Sequence, residues 1–386
     1  MSGGASPIWL VAGEPSGDAH AGRLLAAMRA KRPDLRAAGV GGDAMRGAGC
    51  EILHGIGSLA VTGFLDVPRI IPRLRRLKRD LIERARSERP RAVVLVDYPG
   101  FNLNLAKALR RLPGRPRLVY FIPPQVWAWW AGRAGVIART FDLILTIYPF
   151  EPACFRREGG RAEFIGNPVA HALRGAPDRG AARRALEIPP DARVAAFLPG
   201  SRGKEVDRHL APMAGAARLL RERWPDAVFL VSEAEALRPG AVSERVRDEG
   251  VSLRVVRGRM AEVVRAADAA VVASGTASLE TGLLGTPMAV VYASDPFTYL
   301  MGKYFLIRVD YLSLVNLLAG REIAPELYQR EVRPAPIAEV LGRLLEDPAA
   351  REHQREALAA IRRALEGPDP YERAAGRILE LLEEAP

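Results

Sequence analysis

Short apolar runs alternate with helical patterns along the first half of the chain. Residues 8–11, 92–96, 118–121 and 143–147 are continuous or nearly continuous apolar stretches of four or five residues, the pattern of strands buried on both faces. Residues 17–31 carry a helical pattern that Pro33 stops. The rhythm resumes after Gly166-Asn167-Pro168 and an arginine-rich, weakly patterned stretch around 174–192. Residues 194–198, 227–231, 253–256, 269–273 and 288–292 read as strands, with helical patterns over 206–223, 260–267 and 277–284 between them. Strands alternating with helices predict parallel sheets joined by crossovers. The expected fold is α/β: two doubly wound, Rossmann-like domains, residues 1–170 and 171–345, facing each other across a cleft at the carboxyl ends of their strands. Residues 346–386 read as a helical tail, broken at Gly367-Pro368-Asp369-Pro370, that could pack back on the first domain or mediate contact with a second copy. No repeat of solenoid period is visible.

At 386 residues, 48% of them apolar, the chain has more than one core normally serves and enough apolar side chains to fill two. Its two cysteines, Cys50 and Cys154, suggest neither a disulfide framework nor a zinc site and fit a reducing cytoplasm. No histidine pair has metal spacing; His20, just past the first glycine loop, is a reserve acid or base. No apolar run approaches the roughly 18 residues that span a bilayer, and none follows a basic leader segment. The formal charge of +11 points to anionic partners without choosing among phosphate esters, nucleic acid and an acidic membrane face. Lysine supplies only five of the 56 basic residues, so position carries more than total.

Candidate chemistry gathers where strands end. Val11-Ala-Gly-Glu-Pro-Ser-Gly-Asp18 is a strand-loop-helix passage in which Gly13 and Gly17 permit a tight backbone and Ser16 suits a helix cap. Glu14 and Asp18 sit where a pyrophosphate would, and G-x-G-x-x-G is absent, so the loop suits sugar hydroxyls better than a dinucleotide. Asp97 ends an apolar strand before a reversal at Pro99-Gly100, the position of a general base or of an aspartate bonded to its own turn. Asn102 and Asn104 could serve either purpose. In Leu198-Pro-Gly-Ser-Arg-Gly-Lys-Glu205, Gly200 and Ser201 open the backbone and Arg202 supplies a charged fork for an anion. A surface pair of Arg202 with Glu205 or Asp207 is the competing reading, and the flanking glycines argue against it. Ser274, Gly275 and Thr276 could hold a diphosphate, with Glu280 one turn on to accept ribose hydroxyls. Trp127 lies in an irregular aromatic segment suited to stacking on a sugar, lining an acyl pocket or packing between elements. From 61 to 86, Phe64, Leu65, Ile70 and Ile71 mix with Arg69 and Arg73, the composition of a helix lying on an anionic bilayer or covering a sheet.

Taken together these segments resemble the lipid-A-disaccharide synthase family, glycosyltransferases of GT-B fold. The matching stretches are residues 12–18, 97–102, 126–129, 164–168, 198–202, 274–277 with Glu280, and 316–321, in the family's order. The resemblance implies transfer from UDP-2,3-diacylglucosamine to 2,3-diacylglucosamine 1-phosphate (lipid X). The product would be a β-1,6-linked disaccharide 1-phosphate plus UDP, formed with inversion and with neither metal nor other cofactor. It casts Asp97 as base, Arg202 with Gly200 and Ser201 at the departing diphosphate, and Ser274, Gly275, Thr276 and Glu280 on the nucleotide. Asn316 would lie near the uridine, and Glu14, Ser16, Gly17, Asp18, Asn102 and Trp127 on the sugar or acceptor side. The implied partners are the two lipids and the cytoplasmic face of the inner membrane, held peripherally, with no nucleic acid among them and with dimerisation open to the C-terminal region. Pro123 and Val315 depart from the family's usual serine and proline. Competing readings are a muramyl-lipid N-acetylglucosaminyltransferase, a UDP-N-acetylglucosamine epimerase, or a basic protein that only tethers membrane.

Overall fold

A computed structural model describes residues 6–58, 67–127, 132–294 and 311–384, of which Ser58 and residues 67–70 are placed by backbone alone. Phe64 and Leu65 lie outside the described residues, as do the side chains of Arg69 and Ile70. The chain forms two compact units, residues 1–171 with 367–386, and residues 172–366.

In the first unit, seven parallel strands line up as β3-β2-β1-β4-β5-β6-β7: β1 (Ile8–Ala12), β2 (Ala37–Gly41), β3 (Glu51–Gly55), β4 (Ala92–Val96), β5 (Arg117–Phe121), β6 (Leu143–Thr146) and β7 (Ala162–Phe164). Strand order reverses between β1 and β4, where Val11 lies beside Leu95. In the second unit six parallel strands run β10-β9-β8-β11-β12-β13: β8 (Val194–Leu198), β9 (Val228–Glu233), β10 (Arg254–Arg257), β11 (Ala269–Ala273), β12 (Met288–Tyr292) and β13 (Glu326–Tyr328). Here the reversal falls between β8 and β11. In open sheets of this kind ligands bind outside the carboxyl ends of the strands at that reversal. The segments after β1, β4, β8 and β11 are the ones in which glycines and charged residues cluster.

The predicted tail divides differently from the expected single element. Helix Pro348–Leu365 stays with the second unit, where Leu358, Ile361 and Leu365 are buried and Gln354 bonds both the amide and the carbonyl of Met288 at 2.6 and 2.9 Å. Only residues from Gly367 on join the first unit. There helix Pro370–Glu383 sets Tyr371, Ala374, Ala375, Ile378 and Leu382 into the same apolar cluster as Ile8, Leu10 and Leu24. Arg377 adds a two-pronged bond to Glu163. A fully buried aliphatic side chain contributes roughly 1.5–3 kcal/mol, so this face holds the helix firmly.

Helix Val67–Glu88 covers the first sheet with Leu77, Leu81 and Ala85, while Ile71 and Arg73 are exposed. Among the described residues no helix is long and apolar enough to cross a membrane.

Candidate functional site

At the strand reversal of the first unit, β4 ends in strained backbone. Asp97 and Tyr98 both adopt left-handed conformations, with φ of 47° and 45°. Ile122, at the end of β5, does so with φ of 57°, which is rare for a β-branched residue. Each such residue costs on the order of 1–3 kcal/mol and persists only where its surroundings enforce it. Asn102 is one of the enforcers: fully buried, it donates from Nδ2 to the carbonyls of Val96 and Asp97 at 3.0 and 2.7 Å. The Asp97 carbonyl also accepts from the Tyr120 hydroxyl. Asn102 Nδ2 therefore holds the turn that carries Asp97, while its buried Oδ1 has no partner among the described residues. Asn104 likewise bonds its own helix, at the Gly100 carbonyl.

Burial raises the Asp97 carboxyl above the ordinary carboxylate range, and the negative charge of Glu14 raises it further, while a bond from the Tyr98 amide opposes both. Glu14 is exposed and precedes the helix Pro15–Lys31 with no side-chain cap. Ser16 does not cap this helix; it lies exposed in the first turn, with Pro15 before it. Gly17 is buried, its Cα side against Ala12. Gly13 owes its identity to Tyr98, whose ring occupies the space a Cβ would take. Asp18 is committed inside the fold. It is buried, and its carboxylate accepts from the amides of Gly42, Ala44 and Met45 at 2.6, 3.0 and 3.2 Å, tying helix Pro15–Lys31 to the turn after β2. His20 is also committed, its Nδ1 lying 2.8 Å from the Tyr371 hydroxyl. Burial and the nearby Arg23 push its pKa down to about 4, so it is neutral at pH 7.

Further along the same sheet edge, Trp127 donates from Nε1 to Glu151 at 3.0 Å and meets Phe150 edge-on, ring centres 5.0 Å apart. In the sequence Glu151 resembles any acid at a helix start, and nothing local marks it out. It is nearly inaccessible, accepts as well from the amides of Ile147 and Tyr148, and burial pushes it up to about 7. Phe150 stays partly exposed beside it.

In the second unit a cavity of about 470 Å³ opens at the carboxyl ends of β8, β9 and β11. Gly200, Ser201, Arg202, Ser274, Gly275, Thr276 and Glu280 all line it. Gly275 has φ of 149° with no atom within 4 Å of where a Cβ would stand, so the backbone faces open space. Thr276 is exposed at the first helical position, whereas Ser274 donates its hydroxyl to the Leu312 carbonyl. The Glu280 carboxylate accepts no hydrogen bond among the described residues, and burial raises its pKa. A carboxylate left without a donor at the wall of a cavity is free to accept from ligand hydroxyls.

Arg202 is paired, contrary to the expectation that the glycines excluded it. Its guanidinium donates to Glu205 Oε1 at 2.8 Å, while Glu205 Oε2 accepts from the Ser201 and Arg202 amides at 3.0 and 3.3 Å. Gly200, with φ of 126°, makes room for that carboxylate: a Cβ there would stand 2.6 Å from Glu205 Oε2. The Glu205 carboxylate thus takes up the donors of this turn, two amides and one guanidinium. His209, fully buried, braces it from below by linking the Pro199 carbonyl (2.9 Å) to the Ala293 amide (3.1 Å), with burial lowering its pKa.

Asn316 is bonded within its own unit. It is fully buried, its Nδ2 donates to the Ala324 carbonyl and Glu326 Oε1, both at 2.7 Å, and its Oδ1 accepts from the Ile323 and Ala324 amides. That uses the whole bonding capacity of the side-chain amide. Asn316→Ala should therefore destabilise the chain by about 2–4 kcal/mol through buried groups left unpaired. Thermal unfolding beside a UDP titration checks this: a fall in Kd with no fall in Tm would contradict the structural role, and so would a rise in Kd alone.

The family model described as lipid-A-disaccharide synthetase matches residues 8–374. The lipid-A-disaccharide synthase of Myxococcus xanthus is 41% identical over 375 residues, 97% of each chain. That of Geobacter sulfurreducens is 36% identical over 375 residues, again 97% of each. Among solved structures, the glycotransferase of kitacinnamycin has a TM-score of 0.61 at 18% identity, covering 98% of this chain and 99% of its own. The UDP-GlcNAc 2-epimerase from Neisseria meningitidis, bound to UDP-GlcNAc, has a TM-score of 0.57 at 11% identity, covering 98% and 100%. At those identities the likeness is one of fold, and it is the GT-B arrangement of two parallel-sheet α/β domains.

Proposed function

The chain belongs to the lipid-A-disaccharide synthetase family, and from that premise we propose that it transfers 2,3-diacylglucosamine from UDP to the 6-hydroxyl of 2,3-diacylglucosamine 1-phosphate, with inversion. The observation that carries the reading is Asp97: a half-buried carboxylate of raised pKa at a strand reversal, aimed by strained backbone that Asn102 holds in place. A general base works best when its pKa approaches the operating pH, and the shift is in that direction.

In this reading Asp97 takes the acceptor proton as the hydroxyl attacks the anomeric carbon. Arg202 and the amides now held by Glu205 meet the charge that builds on the departing diphosphate. No metal is required in that role. The amides after Gly275 and the free carboxylate of Glu280 take the rest of the nucleotide, Glu280 by accepting ribose hydroxyls. Both substrates carry acyl chains, so the working place is the cytoplasmic face of the inner membrane. Residues 61–79 supply apolar and cationic side chains for it, Ile71 and Arg73 among them.

The test is mass spectrometry of the products formed by the purified full chain from both lipids. A disaccharide 1-phosphate with stoichiometric UDP is expected, and unacylated UDP-glucosamine derivatives should serve poorly. Epimerised UDP-N-acetylglucosamine, or no glycosyl transfer at all, would overturn the reading.

A further inference from the structure

The second unit carries another cavity, about 530 Å³, at the amino ends of its strands, where Asp268 leads into β11 and Gly285 and Thr286 precede β12. Four of its nine lining residues are arginines: Arg179, Arg265, Arg351 and Arg355, facing one carboxylate, Asp268. That carboxylate is already shared. Arg179 binds it at 2.5 Å, Arg183 at 3.4 Å from behind, and the Val194 amide at 2.8 Å.

The remaining guanidiniums have little negative charge to meet. Arg265 donates to the Leu284 carbonyl, and its Nε is buried with no acceptor among the described residues. Arg351 donates to the carbonyls of Leu344 and Leu345. Among the described residues Arg355 pairs with Glu352 alone, 3.6 Å away across an exposed pair that screening leaves weak. Burial lowers the pKa of Arg265 and the charge of Arg362 lowers it further, while Asp178, from the end of the neighbouring helix, opposes them in part. Planar donors gathered around a cavity, short of counter-charge and with one buried N–H idle, match a tetrahedral oxyanion.

We propose that this arginine-lined cavity is a binding site for a phosphate group, separate from the nucleotide cavity at the carboxyl ends of the strands. The ligand is a phosphate monoester dianion or inorganic phosphate, whose oxygens can be shared among Arg265, Arg351 and Arg355. Two sources offer that chemistry: free phosphate in solution and the phosphomonoester headgroup of a lipid.

The experiment compares the full chain with Arg355→Glu, chosen because that side chain holds no buried bond. Calorimetric titration with inorganic phosphate at fixed ionic strength, with UDP saturating, should show one site in the parent weakened about tenfold or more in the variant, since one charge-assisted bond of about 1.5 kcal/mol corresponds to that factor. In a parallel arm the proteins bind vesicles of phosphatidylcholine with or without phosphatidic acid. A difference between parent and variant in the phosphate arm assigns a soluble phosphate, and one confined to phosphatidic-acid vesicles assigns a lipid headgroup. Equal behaviour of the two proteins in both arms overturns the site, as does chloride competing as well as phosphate. Arg265→Gln, run alongside, should lose the same binding through the buried arm.

Discussion

Asp97→Asn lowers turnover about 10²- to 10⁴-fold and leaves UDP affinity unchanged, the signature of a lost general base. The substitution suits the test because asparagine, like aspartate, tolerates left-handed backbone, so the strained turn at φ 47° survives. Asn102 and Tyr120 bond the main-chain carbonyl of residue 97, which the change leaves alone. The pH dependence follows from the sign of the shift. A base must be ionised, and burial with Glu14 raises its pKa, so the acid limb of kcat/KM lies above the ordinary carboxylate range and the rate falls as pH drops through it. Stability runs the other way. A carboxyl whose pKa is higher folded than unfolded binds protons better in the native state, so ionisation costs stability as pH rises from the unfolded to the folded pKa, and the loss persists above it. Asp97→Asn removes that penalty and should match or exceed the parent in Tm at neutral pH. Turnover equal to the parent's would place the base elsewhere; a collapse in Tm would mean the carboxylate holds the fold.

That contrast marks how far the sequence could be read. The central strands were legible because burial on both faces leaves no polar position: β4 is Ala-Val-Val-Leu-Val and β11 is Ala-Ala-Val-Val-Ala. Four strands were not. β2 is Ala-Ala-Gly-Val-Gly, too poor in branched side chains to signal a strand, β3 alternates weakly, and β7 and β13 span three residues each. They exist because neighbouring strands supply their pairing, which no local pattern encodes. The loops of the site were legible too, since glycine and charge after an apolar run reveal a strand end whatever lies beyond it.

Which side chains in those loops face outward was not. Asp18 is occupied by amides 24 to 27 residues away, and Asn316 by a loop seven to ten residues on, so motif spacing alone could not separate a ligand contact from an internal brace. Glu151 shows the converse. Its donors include Trp127, 24 residues earlier, and only the folded chain reveals that burial lifts this carboxyl to about 7. The flanking glycines at Gly200 were read as room for a ligand, whereas one of them makes room for Glu205.

That carboxylate bears on the second large effect. Arg202→Gln should lower turnover about 10²- to 10³-fold, the range for losing one preorganised donor to a developing negative charge. At rest Arg202 is mostly exposed and held by Glu205, and an exposed pair of this kind is worth only about 0–1 kcal/mol. Glu205 already accepts from that guanidinium and from the Ser201 and Arg202 amides, so a diphosphate taking its place would exchange like bonds for like and gain from its greater negative charge. Glu205 then acts as a stand-in that keeps the donors aimed while the cavity is empty. Two comparisons separate this from a merely structural arginine. Arg202→Lys should recover only part of the lost turnover, because a point charge cannot reproduce the planar fork. Glu205→Gln should keep most of the turnover and bind UDP more tightly, since the neutral amide competes less well for the donors. If Arg202→Gln turned over like the parent, or if Glu205→Gln bound UDP more weakly, the cradle would be a helix cap and the departing diphosphate would be stabilised by other groups.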